Sequence, residues 1–130
     1  MIQKIMLAIR IILFSISVLS AQQADDIIGT YRLPNNLDIE ISKVNQKYQG
    51  KIVAVNKNIE GSLQDESILG DVIIHKLEFD KSSNKWVNGT MYSPKKGLTF
   101  NLQVNEIREK EIEVVGSKLF FWKTMTWKRL

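Results

Sequence analysis

Trp86-Val87-Asn88-Gly89-Thr90-Met91-Tyr92-Ser93-Pro94-Lys95-Lys96-Gly97-Leu98-Thr99-Phe100 decides the fold of this chain. A run rich in aromatic and β-branched residues climbs to Pro94 and Gly97, which bracket a turn, and a second run descends from it. Leu98, Phe100, Leu102 and Val104 alternate with Thr99, Asn101, Gln103 and Asn105, so one face of the descending strand is core and the other is wet. The segment reads as a β-hairpin, with strands over Lys85 to Tyr92 and Gly97 to Val104.

The same chemistry continues on both sides. Upstream, Lys81-Ser82-Ser83-Asn84 is a short hairpin connection, and Asp71 to Asp80 is a strand carrying Val72-Ile73-Ile74. Asn56 to Ser67 is one long polar loop, Lys47 to Val55 a strand, and Asn45-Gln46 a turn. Leu37-Asp38-Ile39-Glu40-Ile41-Ser42 alternates apolar and polar without a fault, and Pro34-Asn35-Asn36 separates it from a first strand over Gly29 to Leu33. Downstream, Glu106 to Glu113 carries enough charge for a helix with i,i+4 pairs. Ile112 and Val114 alternating with Glu111 and Glu113, then Val114-Val115-Gly116, favour a strand over Lys110 to Ser117. Leu119 to Arg129 closes the chain as a long aromatic-rich strand. Eight strands joined by short connections leave no helical spacing for crossovers, so the sheet is antiparallel and up-and-down. Closure on itself hides both edges, and a small barrel is expected ahead of a flat two-layer sandwich.

The first residues stand apart. Lys4 and Arg10 precede an apolar run from Ile11 to Leu19, and Ser20-Ala21 supplies the small residues that signal peptidase prefers. The apolar run is shorter than the ~20 residues that a spanning helix requires. A signal peptide over residues 1–21 is therefore expected, then a short linker over 22–28 and a single β domain over 29–130. That reading makes the protein exported, periplasmic or secreted, with no membrane span after signal removal. Subtracting Lys4 and Arg10 from eighteen Lys and Arg leaves sixteen against fourteen Asp and Glu, a net charge of +2. So small a charge argues against nucleic acid as a partner. There are no cysteines, hence no disulfide and no thiol for a lipoprotein anchor, and the apolar core must hold the fold alone.

The hairpin also carries a resemblance. Trp86, Gly89, Met91-Tyr92, Pro94 and Gly97 fall in the order of a bacterial family of small exported β proteins, domain-of-unknown-function family 2147. Tyr48 to Val53, Leu69-Gly70 with Val72-Ile73-Ile74, Val114-Val115-Gly116 and Phe121 to Arg129 resemble its other segments. The resemblance implies a lipocalin-like barrel in which Gly29, Tyr31, Trp127 and Arg129 join the first strand to the last, with the Arg129 guanidinium over the Tyr31 ring. The alternative for Arg129 is a solvated terminal charge. It also implies structural roles for Gly70, Gly89, Pro94, Gly97 and Gly116. The chain departs from the family at Tyr31, where Trp is usual, and at Ser93, where Asp is usual. A loop over Asn56 to Ile68 is short and lacks the family's Asp and Asn-Pro motif.

For catalysis the residues offer little. His75 is the lone histidine and has no motif around it, which leaves a metal site without enough converging ligands. No Gly-x-Ser-x-Gly is present. Asp25-Asp26 and Asp65-Glu66 lie in polar segments where their expected role is solubility. Asn88-Gly89-Thr90 fits a glycosylation sequon by coincidence of spacing. No enzyme activity, cofactor or metal is expected, with a hydrolase centred on His75 as the alternative.

Aromatic residues are the stronger signal. Ten remain beyond residue 21, and seven of them follow residue 85. Strict alternation puts Trp86 and Tyr92 on one face with Asn88 and Thr90, a mixture suited to a small-ligand pocket or equally to a half-solvated outer face. A dry cavity of ~300 Å³ would cost roughly 7 kcal/mol. The entire stability of such a domain is only ~5–15 kcal/mol. The interior is thus expected either to be filled by side chains or to form a shallow cup. The expected function is binding of a small, partly apolar molecule in a shallow barrel mouth, through Trp86, Tyr92, Phe100 and Trp122. The alternative is an envelope protein-interaction module that uses a strand edge or the aromatic last strand.

Overall fold

The computed structural model describes residues 21–130. Residues 1–20, and with them nearly all of the expected signal peptide, lie outside the described residues. Eight strands follow in order: β1 (Gly29–Arg32), β2 (Leu37–Val44), β3 (Lys47–Val55), β4 (Val72–Asp80), β5 (Lys85–Ser93), β6 (Leu98–Ile107), β7 (Glu111–Lys118) and β8 (Phe121–Arg129). Each pairs antiparallel with the next, and β1 pairs with β8, so the sheet is a closed up-and-down barrel. The Glu106–Glu113 helix does not form: Ile112 and Val114 are buried inside, and β7 lies in register with β6 and β8.

The seam is short. Only Tyr31↔Arg129 and Arg32↔Lys128 are in register across β1 and β8, with the Leu130 amide donating to Thr30 O at 2.9 Å. The stretch of β8 from Phe121 to Trp127 is paired with β7 alone. The Arg129 guanidinium donates to Arg108 O and Asp26 O, both at 3.3 Å, and its Nε and the Tyr31 phenol meet beside Gly29.

The interior is filled. Tyr31, Leu37, Ile39, Ile41, Ile52, Ile74, Leu77, Trp86, Leu102, Val104, Ile112, Val114 and Trp127 form one buried cluster. Three inward glycines make room for neighbours, the first being Gly50, where a Cβ would lie 2.8 Å from Ile74 Cδ1. A Cβ at Gly89 would lie 2.7 Å from Leu77 Cδ1 and 3.1 Å from Leu102 O. A Cβ at Gly116 would lie 2.9 Å from Phe100 Cε2. These are packing positions rather than turns, unlike Gly70 and Gly97, which take positive φ.

Residues 22–28, expected as a linker, are instead the floor of the barrel. Ala24–Ile27 form a 3-10 helix with Ile27 buried. The Tyr31 hydroxyl donates to Ile27 O at 2.7 Å, and Trp86 Nε1 donates to Ala24 O at 2.9 Å. Gln22 Nε2 donates to Asn84 O and Asn105 O, while its Oε1 accepts from the Ile107 amide at 2.6 Å. An exposed barrel floor would leave Trp86, Tyr31 and the strand-end carbonyls half-solvated, and the helical turn satisfies all of them at once.

Candidate functional site

The strands run between two ends of different character. The 3-10 helix and the Val44–Lys47, Asp80–Lys85 and Ile107–Glu111 turns lie at the closed end. The other end carries the Arg32–Leu37 turn, the 56–71 loop, and the Ser93–Leu98 and Lys118–Phe121 turns. At this open end, β6, β7 and β8 enclose a cleft of about 220 Å³. Leu98, Phe100, Phe121, Trp122 and Met125 form its apolar wall, and Lys96, Lys118 and Lys123 stand around it. Alternation along β8 explains the arrangement: Phe121, Lys123, Met125 and Trp127 share the inward face, and only the last is deep enough to be fully buried. Phe100 lies against Gly116 and forms the base of the cleft.

The four expected ligand residues do not come together. Phe100 and Trp122 both line the cleft. Trp86 is fully buried at the opposite end, its ring 4.9 Å from that of Phe79. Tyr92 is on the outside and 45% exposed. The shared face expected for Trp86 and Tyr92 fails at Asn88, whose φ of 62° marks an extra residue in β5. Trp86 pairs with Val104, but Gly89 pairs with Leu102, so the register shifts by one. Beyond this bulge Gly89 and Met91 face inward with Trp86, and Tyr92 faces out. Leu98, Phe121, Met125 and the three lysines were not singled out by sequence. The period-two spacing of Phe121, Lys123, Met125 and Trp127 is the signal that marks them.

Elsewhere, polar groups serve the fold. Asp25 accepts a short hydrogen bond from the Tyr48 hydroxyl and lies 3.3 Å from Lys43 Nζ. Tyr48 first, then Lys43, hold the Asp25 carboxyl below its ordinary range. Burial first, then Asp25, push the Tyr48 phenol up. Asp25, expected with Asp26 to be merely solubilising, thus latches the floor helix to β3, while the Asp26 carboxylate accepts locally from the Gln23 amide. Asp38 is buried and accepts from Arg32 Nε at 2.8 Å and from Asn56 Nδ2 at 3.0 Å, tying the start of the 56–71 loop to the sheet. That loop is ordered further by Asp65, which caps Ser67, and by Gly70 N donating to Ile52 O. His75 is exposed, with Nε2 3.0 Å from Val72 O. Asn88 Nδ2 donates to Glu78 Oε1 at 2.6 Å. No cluster of potential metal ligands occurs among the described residues.

A closed eight-stranded up-and-down barrel with one capped end and one open end is a lipocalin-like architecture. The chain belongs to the family DUF2147, an uncharacterized protein family conserved in bacteria, which it matches over residues 29–129. Among solved structures it is similar to protein HP1028 from the human pathogen Helicobacter pylori, described as belonging to the lipocalin family. The two share 16% identity and a TM-score of 0.62, over 85% of this chain and 84% of the other. That likeness concerns the fold. No curated protein matches the chain.

Proposed function

We propose that this is an exported, non-catalytic barrel that holds a small apolar group, one acyl chain or one ring, in the open-end cleft. The observation that carries the reading is the apolar wall of Leu98, Phe100, Phe121, Trp122 and Met125 around about 220 Å³ at the mouth of an otherwise filled barrel. The volume falls below the ~300–1,000 Å³ of pockets that enclose a drug-sized ligand, so the guest is held at its end rather than swallowed. Lys96, Lys118 and Lys123 at the rim suit a guest with an anionic head, such as a fatty acid. Titration with decanoate tests the reading, because Trp122 lines the cleft while Trp86 and Trp127 are buried. A saturable change in Trp emission is expected, weakened about tenfold or more by Leu98→Asp or Met125→Asp. Unchanged affinity in both folded variants would remove the cleft as the site.

A second reading has one observation in its favour. Residues 121–127 of β8 have no partner strand on the β1 side, and such an edge can accept an added strand from another protein. Native mass spectrometry of the protein taken from its own cells separates the two: a retained small molecule supports the first, a retained polypeptide the second.

A further inference from the structure

The turn between β7 and β8 runs against ordinary turn chemistry. Leu119, Phe120, Phe121 and Trp122 are 87%, 88%, 79% and 75% exposed, whereas the other exposed large apolar residues among those described lie between 39% and 54%. Leu119 takes φ +56° at the first turn position, where Gly, Asn or Asp is usual. The corresponding turn at the closed end uses Asn45 and Gln46 with positive φ, and the Ser93–Leu98 turn uses Gly97. Among the described residues only Leu119 is a bulky apolar side chain at positive φ, and it projects into solvent. Folding gains nothing from that choice.

Charge indicates what covers the tip. Lys118 precedes it in the chain, and Lys96, Lys118 and Lys123 line the cleft beside it with no carboxylate among the lining residues. The ion pairs among the described residues involve Arg32, Lys43, Lys47, Lys57 and Arg108, and none of these three lysines. An apolar tip bearing a Trp, beside a cleft lined by lysines outside any ion pair, matches the boundary between acyl chains and anionic headgroups. We infer that the Lys118–Lys123 hairpin docks the open end of the barrel on an anionic lipid surface, with Leu119 and Phe120 inserted and the lysines at headgroup level. Leu119 and Phe120 do not line the cleft, so this surface stands whether or not the cleft holds a guest.

The chain itself provides the probe, since Trp122 is the exposed one of its three Trp residues. On phosphatidylcholine vesicles carrying about a third phosphatidylglycerol, a fraction sufficient to charge the surface, Trp emission is expected to shift to the blue. Brominated acyl chains are expected to quench it. The double variant Leu119→Asp/Phe120→Asp should partition about tenfold less or worse, yet keep wild-type decanoate binding if the cleft is a site. Each of Lys96→Gln, Lys118→Gln and Lys123→Gln should weaken partitioning roughly fivefold, with salt reducing the wild-type affinity. Equal binding to pure phosphatidylcholine, absence of bromolipid quenching, or an unaffected double variant would overturn the inference. So would lipid-free self-association that the double variant abolishes, which would assign the tip to a second copy of the chain.

Discussion

The two ends of this barrel solve the same problem in opposite ways. Each must finish eight strands, and each carries aromatic side chains. At the closed end Trp86, Tyr31 and Tyr48 are buried, and their polar atoms are taken up by Ala24 O, Ile27 O and Asp25. At the open end Phe120, Phe121 and Trp122 stand in solvent on a strained turn. The contrast teaches that aromatic content does not locate a binding surface; what matters is whether the fold has already satisfied the ring. The closed end is stability, and the open end is surface left for something else.

Paired substitutions break the comparison most directly. Trp86→Ala removes a fully buried ring and the Ala24 hydrogen bond, and is expected to cost ~3–5 kcal/mol in denaturant unfolding. Trp122→Ala, equally drastic in sequence, should change stability by no more than ~0.5 kcal/mol. Similar losses at both positions would mean that the open-end hairpin is packed after all.

The floor latch offers a smaller and pH-dependent effect. The depressed Asp25 carboxyl stabilises the fold above the ordinary carboxylate range, and that contribution fades as pH falls through its folded value. The raised Tyr48 phenol acts at the other extreme: its contribution is complete below about pH 10 and fades as pH climbs beyond. Tyr48→Phe is therefore expected to cost ~1–2 kcal/mol at neutral pH and to flatten the stability profile at both ends. A profile indistinguishable from wild type would show that Asp25 and Tyr48 are not coupled in solution.

The smallest effect is a gain. Leu119→Asn places a residue tolerant of positive φ in the strained turn and should raise stability by about 0.5 kcal/mol. A loss on thermal unfolding would show that Leu119 makes stabilising contacts that its exposure denies.

Much of this was legible in the residues. Alternation marks the strands at Leu37–Ser42, Leu98–Asn105 and Glu111–Val114, because a half-buried strand must repeat every second residue, and β-branched runs and turn residues mark the rest. Reading the site was harder. A bulge adds one residue without changing composition, so the inversion at Asn88 that carries Tyr92 outward leaves no mark on the alternation upstream of it. Phe100 and Trp122 both line the cleft, whereas Trp86, expected at the mouth, lies buried at the floor.

Sequence alone determined the strands, their antiparallel order and the shortage of interior space, since these follow from local periodicity, turn chemistry and the size of the chain. Tertiary structure decided which aromatics are core and which are surface, and turned residues 22–28 from a tether into a floor. That segment has no periodicity of its own; its conformation exists because the barrel end presents Tyr31, Tyr48, Trp86 and the Asn84 and Asn105 carbonyls to be satisfied.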